Sequence, residues 1–125
     1  MADLLEDLVV DETEIDRALL REVLSPYVRL AKLTGHPIPT AAFSQLSAGG
    51  KIIVYALARK AGCALGLMSG PEKATPREIS EATGVKNGTT KPTVIALAKK
   101  GLLVSEGGSY SVPNHALPHI RDAIK

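Results

Sequence analysis

Few residues in this chain are of types that make or break bonds, and their spacing argues against a catalytic or metal site. The 125 residues hold one cysteine, three histidines and 13 acids. Cys63 lies in the apolar run 52–68, which predicts a small buried hydrophobe. His115 and His119 stand four apart, a spacing zinc can use on one helix face, but no third ligand follows at motif spacing. His36 sits in a turn signal. The stretch Ala48-Gly49-Gly50-Lys51 lacks the length and the hydroxyl residue of a phosphate-binding loop. The expectation is a protein with no enzymatic activity, no cofactor and no metal. One tract does carry a chemistry. Positions 85–103 hold four lysines (Lys86, Lys91, Lys99, Lys100) and no acid. A helix that needs only solvation mixes signs, whereas a one-sign tract suits a polyanion.

The overall charge of +2 conceals the same asymmetry. Residues 1–24 carry eight acids and two arginines, a net −6, while residues 25–125 carry thirteen bases and five acids, a net +8. A basic body with an acidic end points to a polyanionic partner. The length suits one domain with a modest core. A single thiol excludes an internal disulfide framework. Arg59-Lys60 interrupts the most apolar run at its centre, which opposes membrane insertion, and the acidic start MADLLEDLVV is unlike a basic signal peptide. A cytoplasmic, nucleoid-associated location is therefore expected.

These residues need elements to position them. The spacing predicts a helix over 2–24. Leu4, Leu5, Leu8 and Val9 cluster first, then Asp11 and Glu14 offer a capping box ahead of Ile15, Leu19 and Val23 at i, i+4, i+8, with Leu20 and Leu24 widening the stripe. Such a stripe packs on its own domain or makes a dimer contact. Alternation over 27–33, the turn Thr34-Gly35-His36 and the Pro37-Ile38-Pro39 return predict a short hairpin. Ser47 caps a central helix that is apolar nearly all round and hence buried on two sides. Thr75, Pro76 and Glu78 form a cap, first-turn proline and capping box for a short helix with Ile79 and Ala82 inward, closed by Gly84 and plugged by Val85. A second helix is expected from Thr89 or Thr90, with Val94, Leu97, Ala98 and Gly101 on its apolar face and the small Ala98 and Gly101 allowing close helix approach. Strands over 102–105 and 109–112 flank a Glu106-Gly107-Gly108 turn. Asn114 then caps a last helix facing inward through Leu117, Ile120 and Ile124. Helix, tight turn, helix and hairpin make a helix-turn-helix followed by a wing. The fold class expected is mainly α with small β: an N-terminal helix and hairpin extension (1–44), a winged helix-turn-helix domain (45–113) and a C-terminal helix (114–125).

The run Ile79-Ser80-Glu81-Ala82-Thr83-Gly84-Val85, with Val94, Leu97 and Lys100-Gly101-Leu102-Leu103-Val104, resembles the winged helix-turn-helix superfamily of prokaryotic DNA-binding transcription regulators. The likeness covers 47–112, with Lys73-Ala74 as a short lead-in strand. Ser80 stands where alanine is usual, the turn VKNGTTKP is long and glycine-rich, and the wing carries no cation. The resemblance implies a recognition helix near 89–100 entering the major groove by its N-terminal end. Thr89, Thr90 and Thr93 would then meet phosphates or base edges, Lys91 a guanine or a phosphate, and Lys99 and Lys100 extend the basic face. Arg77, Lys86 and Asn87 would grip the backbone. The expected partners are double-stranded DNA and a second copy in a homodimer, with the acidic N-terminal helix open to a protein partner. The rivals are a winged-helix adaptor binding an acidic protein and a non-specific chromatin protein. The scarcity of aromatic residues disfavours RNA.

Overall fold

A helix that is apolar on nearly every face has to be covered on nearly every face. In the computed structural model, which describes residues 4–9, 15–68 and 70–124, that helix is α2 (Ala48–Ala64), with Ile52, Ile53, Val54 and Leu57 fully buried. Ser47 caps it by accepting the Gly50 amide at 3.1 Å. Two helix pairs do the covering. Helices α1 (Arg17–Leu24) and α5 (Leu117–Ile124) pack on each other and on α2. Helices α3 (Pro76–Thr83) and α4 (Asn87–Lys99) do the same. One hydrophobic cluster unites them, with Leu20 and Val23 from α1, Ile79 from α3, Val94 and Leu97 from α4, and Leu117, Ile120 and Ile124 from α5. The chain is mainly helical, with two small antiparallel hairpins among the described residues.

The first hairpin pairs β1 (Val28–Leu30) with β2 (Pro37–Pro39), Arg29 opposite Ile38, and packs on α2. Its turn sits hard against the helix. A Cβ on Gly35, which has φ +75°, would fall 2.7 Å from Met68 Cγ, and one on Gly62 would fall 3.1 Å from the Gly35 carbonyl oxygen. The second hairpin pairs β3 (Val104–Glu106) with β4 (Ser109–Ser111) through Gly107 and Gly108, both at positive φ, as a two-residue turn requires. Ala74 bridges to Tyr110 beside β4, so the short lead-in before α3 joins this hairpin.

Several local expectations are corrected. The helix expected over 2–24 is replaced by a 3-10 turn at Leu4–Leu8 and an α-helix beginning only at Arg17, capped by Asp16 accepting the Leu19 amide at 3.0 Å. The expected Asp11 and Glu14 box lies outside the described residues. The consequence is electrostatic: α1 carries two arginines and a single acid, Glu22, which pairs with Arg121 at 2.7 Å, so this helix is not acidic. Ala82 is exposed and Thr83 takes the buried position. Gly101 makes no close helix approach. It is the left-handed residue of a Schellman ending, with its amide donating to Ala98 and that of Leu102 to Leu97. Strand β3 consequently starts at Val104 and not at Leu102, and its turn is two residues because Glu106 pairs with Ser109. Cys63 is half-buried, its thiol 3.6 Å from the Gly70 carbonyl. Pro113, not Asn114, stands at the N-cap of the 3-10 turn leading into α5, and the Asn114 side-chain oxygen accepts from Lys60 instead.

The glycines of α2 and α4 yield opposite expectations. A Cβ on Gly50 would meet the Ile124 carbonyl at 2.7 Å, so Gly50→Ala should destabilise the fold by about 1–3 kcal/mol despite alanine's better helix propensity. Gly88 is also helical and has open space, so Gly88→Ala should raise stability by up to about 1 kcal/mol. Thermal unfolding of the two variants checks both signs.

Candidate nucleic-acid interface

The exposed stripe of α4 is built by its buried one. Thr90, Val94 and Leu97 occupy i, i+4 and i+7 and face inward. Gly88, Lys91, Pro92, Ile95, Ala96 and Lys99 are all exposed and recur at i, i+3, i+4, i+7, i+8 and i+11, so they share the outward face. Lys91 and Lys99 lie ~12 Å apart along the helix axis at 1.5 Å per residue. Between them Pro92, Ile95 and Ala96 form an apolar strip in which Ile95 is 48% exposed. The N-cap is Lys86, which makes no side-chain capping bond, so the first amides of α4 point outward beside a cation. Among the described residues, none of Lys86, Lys91, Lys99 and Lys100 is ion-paired. That is an open, single-sign surface.

Other residues expected here are occupied elsewhere. Thr90 is fully buried, its hydroxyl 3.0 Å from the Lys86 carbonyl and 3.3 Å from that of Val85, so it touches no outside ligand. The helix begins two residues earlier than the threonines suggest, which turns Thr90 inward, and a buried hydroxyl is satisfied by the carbonyl four residues back. Thr93 is half-buried. Its hydroxyl donates to the Thr89 carbonyl at 2.6 Å, and its methyl lies near Gly49. Thr89 and Asn87 are exposed in the first turn. Arg77 is exposed but paired with Glu81 at 3.2 Å. Lys100 is the C-cap at the far end of the helix. The β3–β4 hairpin offers no cation, and its Glu106 pairs with Lys73 at 3.4 Å.

Two cations outside the expected site hold this unit in place. Arg59 and Lys60, whose charges in the sequence speak only against membrane insertion, are buried on α2. Arg59 donates to the Glu72 carbonyl at 2.9 Å and the Pro71 carbonyl at 2.6 Å, and to the Tyr55 hydroxyl at 3.1 Å. Lys60, 4% exposed, meets the Glu72 carboxylate at 2.9 Å and the Asn114 side-chain oxygen at 2.6 Å. Together they tie α2 to the strap 71–73 that launches α3. The signal for them in the sequence is two adjacent cations inside an otherwise apolar helix, with an acid twelve residues on.

The start of α3 is held by the reciprocal box expected. Thr75 accepts the Glu78 amide at 3.2 Å and Glu78 accepts the Thr75 amide at 3.1 Å. That backbone bond holds the Glu78 carboxyl below its ordinary range, with the Thr75 hydroxyl and Arg59 acting the same way against the opposing effect of desolvation. A carboxyl depressed in the folded state stabilises above its unfolded pKa, and the contribution is lost as pH falls through the folded value. Glu78→Gln should therefore lower stability at neutral pH and match the parent chain at strongly acid pH, as paired denaturant titrations would read.

Among the described residues, no group of three metal-ligating side chains comes together, and no helix is long and apolar enough to cross a membrane. His36, His115 and His119 do not converge. No family model, curated protein or solved structure matches the chain.

Proposed function

We propose that the chain is a winged helix-turn-helix DNA-binding protein, a small non-enzymatic transcription regulator of the cytoplasm and nucleoid, with α4 as its recognition helix. The observation that carries this reading is the unpaired lysine stripe on α4. Lys91 and Lys99, ~12 Å apart along the helix axis, suit phosphates spaced along the groove while the strip between them faces the base edges. Lys86 and the uncapped first turn suit a phosphate, and the exposed Ile95 and Pro92 suit thymine methyls. Helix α3, the long helix α2, the β3–β4 hairpin and the Ala74 bridge are consistent with the remaining parts of that fold. A cation-free wing leaves backbone contacts to α4 and its N-terminal turn.

The test is titration of duplex DNA, random-sequence and genomic fragments alike, across a salt series by fluorescence anisotropy. If four lysines each neutralise a phosphate, the log–log slope is about −3.6, and some fragments exceed the random pool. No binding at low salt overturns the reading. Equal binding to all fragments makes it a chromatin-type protein. The exposed Ile95 at the centre of the stripe favours a second reading, an adaptor whose α4 meets an acidic protein. Binding of such a protein with no DNA affinity would select it.

A further inference from the structure

Between α1, the start of β1 and the last turn of α2 lies an open groove of about 460 Å³. Leu20, Leu24 and Leu65 contribute to its apolar lining, and Arg17, Arg21 and Arg29 stand along it. Among the described residues, none of these three arginines is ion-paired. Arg17 donates to the Ala64 carbonyl at 3.1 Å and Arg29 to that of Val28 at 3.0 Å, bonds to neutral acceptors that orient the guanidinium groups. An apolar trough edged with arginines that are not ion-paired among the described residues suits an apolar segment that carries acids.

The chain contains one such segment. The 3-10 turn Leu4–Leu8 and Val9 bury none of their side chains: Leu4 is 90%, Leu8 77% and Val9 76% exposed. Glu6 and Asp7 lie among them, exposed and not ion-paired among the described residues. Large apolar side chains clustered in water mark an interaction surface. Its chemistry is the complement of the groove in both respects, apolar to apolar and acid to arginine. In the chain itself Leu4, Leu8 and Val9 stand in solvent, and among the described residues nothing fills the groove.

We infer that the groove receives the N-terminal segment, residues 4–9, of a second copy of the chain. Reciprocal exchange about a two-fold axis fills both grooves and covers both segments, so the contact closes at a dimer. The groove volume falls in the range of about 300–1,000 Å³ that takes a ligand of a few side chains. Helix α4 takes no part, so the inference is independent of the DNA reading. A monomer that binds DNA overturns this inference alone, and a dimer that does not bind DNA overturns only the other.

Sedimentation velocity on the full chain tests it with two charge reversals, Arg17→Glu/Arg21→Glu and Glu6→Arg/Asp7→Arg. Each pair sits on exposed side chains, and circular dichroism checks that each variant keeps its helices. The parent chain is expected to dimerise at micromolar concentration, and each variant alone to self-associate at least about tenfold more weakly. Mixing the two variants should restore the dimer, because the exchanged contacts then join opposite charges. A parent chain that stays monomeric overturns the inference. So does a dimer indifferent to both reversals, or a mixture that fails to recover.

Discussion

Replacing Lys86 and Lys91 together with glutamate should lower the affinity proposed for duplex DNA by about two orders of magnitude at moderate salt. Each lysine on a phosphate releases about 0.9 of a counterion, so the milder pair of alanine substitutions flattens the log–log salt slope by about 1.8. Glutamate adds repulsion from the same phosphates, which makes the affinity loss larger than removal of the contacts alone. Both side chains are exposed and neither is ion-paired among the described residues, so the fold should tolerate the change. Lys32→Glu is the control, since it is exposed near the β1–β2 hairpin, which packs on α2 and not on α4. Anisotropy titrations of the three proteins at matched salt give the comparison. A loss at Lys32 equal, per reversed lysine, to that of the Lys86–Lys91 pair would mean that net charge, and not the α4 surface, governs binding.

The second expectation concerns stability and is asymmetric. Glu72→Ala should cost about 3 kcal/mol, because it strands the Lys60 ammonium in a site only 4% exposed, with the neutral Asn114 oxygen left to face it. Lys60→Met should cost much less. It leaves behind a carboxylate that is 28% exposed and can take up water, and the methionine fills the same apolar channel. In a domain of this size, about 3 kcal/mol corresponds to a fall in Tm of roughly 10–15 °C. Chemical denaturation of both variants, with equal m values as the check on two-state behaviour, reads the difference. Equal costs would show that the pair acts as a surface ion pair and that the strap 71–73 is held by Arg59 alone. The strap leads directly into Ala74 and the Thr75 cap, so loosening it should also widen the orientations open to α3 and α4.

The parts of the candidate interface legible in the sequence are those written in short-range chemistry. Thr75, Pro76, Glu78 and Gly84 specify both ends of α3 within a turn of each end, and each takes the role its type suggests. Gly107-Gly108 specifies the second hairpin in the same way. The absence of acids from 85 to 103 marks the cationic helix by composition alone. The start of α4 is harder to read, since its cap is Lys86, a residue with no capping side chain, while Thr89 and Thr90 look like caps and are not. Two residues of displacement carry Thr90 from the expected DNA face into the core. The start of α1 is capped by Asp16, a good cap by type, and its buried face is Leu20, Val23 and Leu24.

By its residues alone, this chain is bound to be helix-rich and to carry an excess of base after residue 24. Where that base is available is beyond the sequence. Folding buries Arg59 and Lys60, pairs Lys73, Arg77 and Arg121 with acids, and leaves the four lysines of α4 and its caps on one surface and three arginines along one groove. The physical reason is range. Caps, turns and helix faces are settled by neighbours within about four positions, whereas the state of a charge depends on whatever the fold brings beside it, as Asn114 is brought to Lys60 across 54 positions.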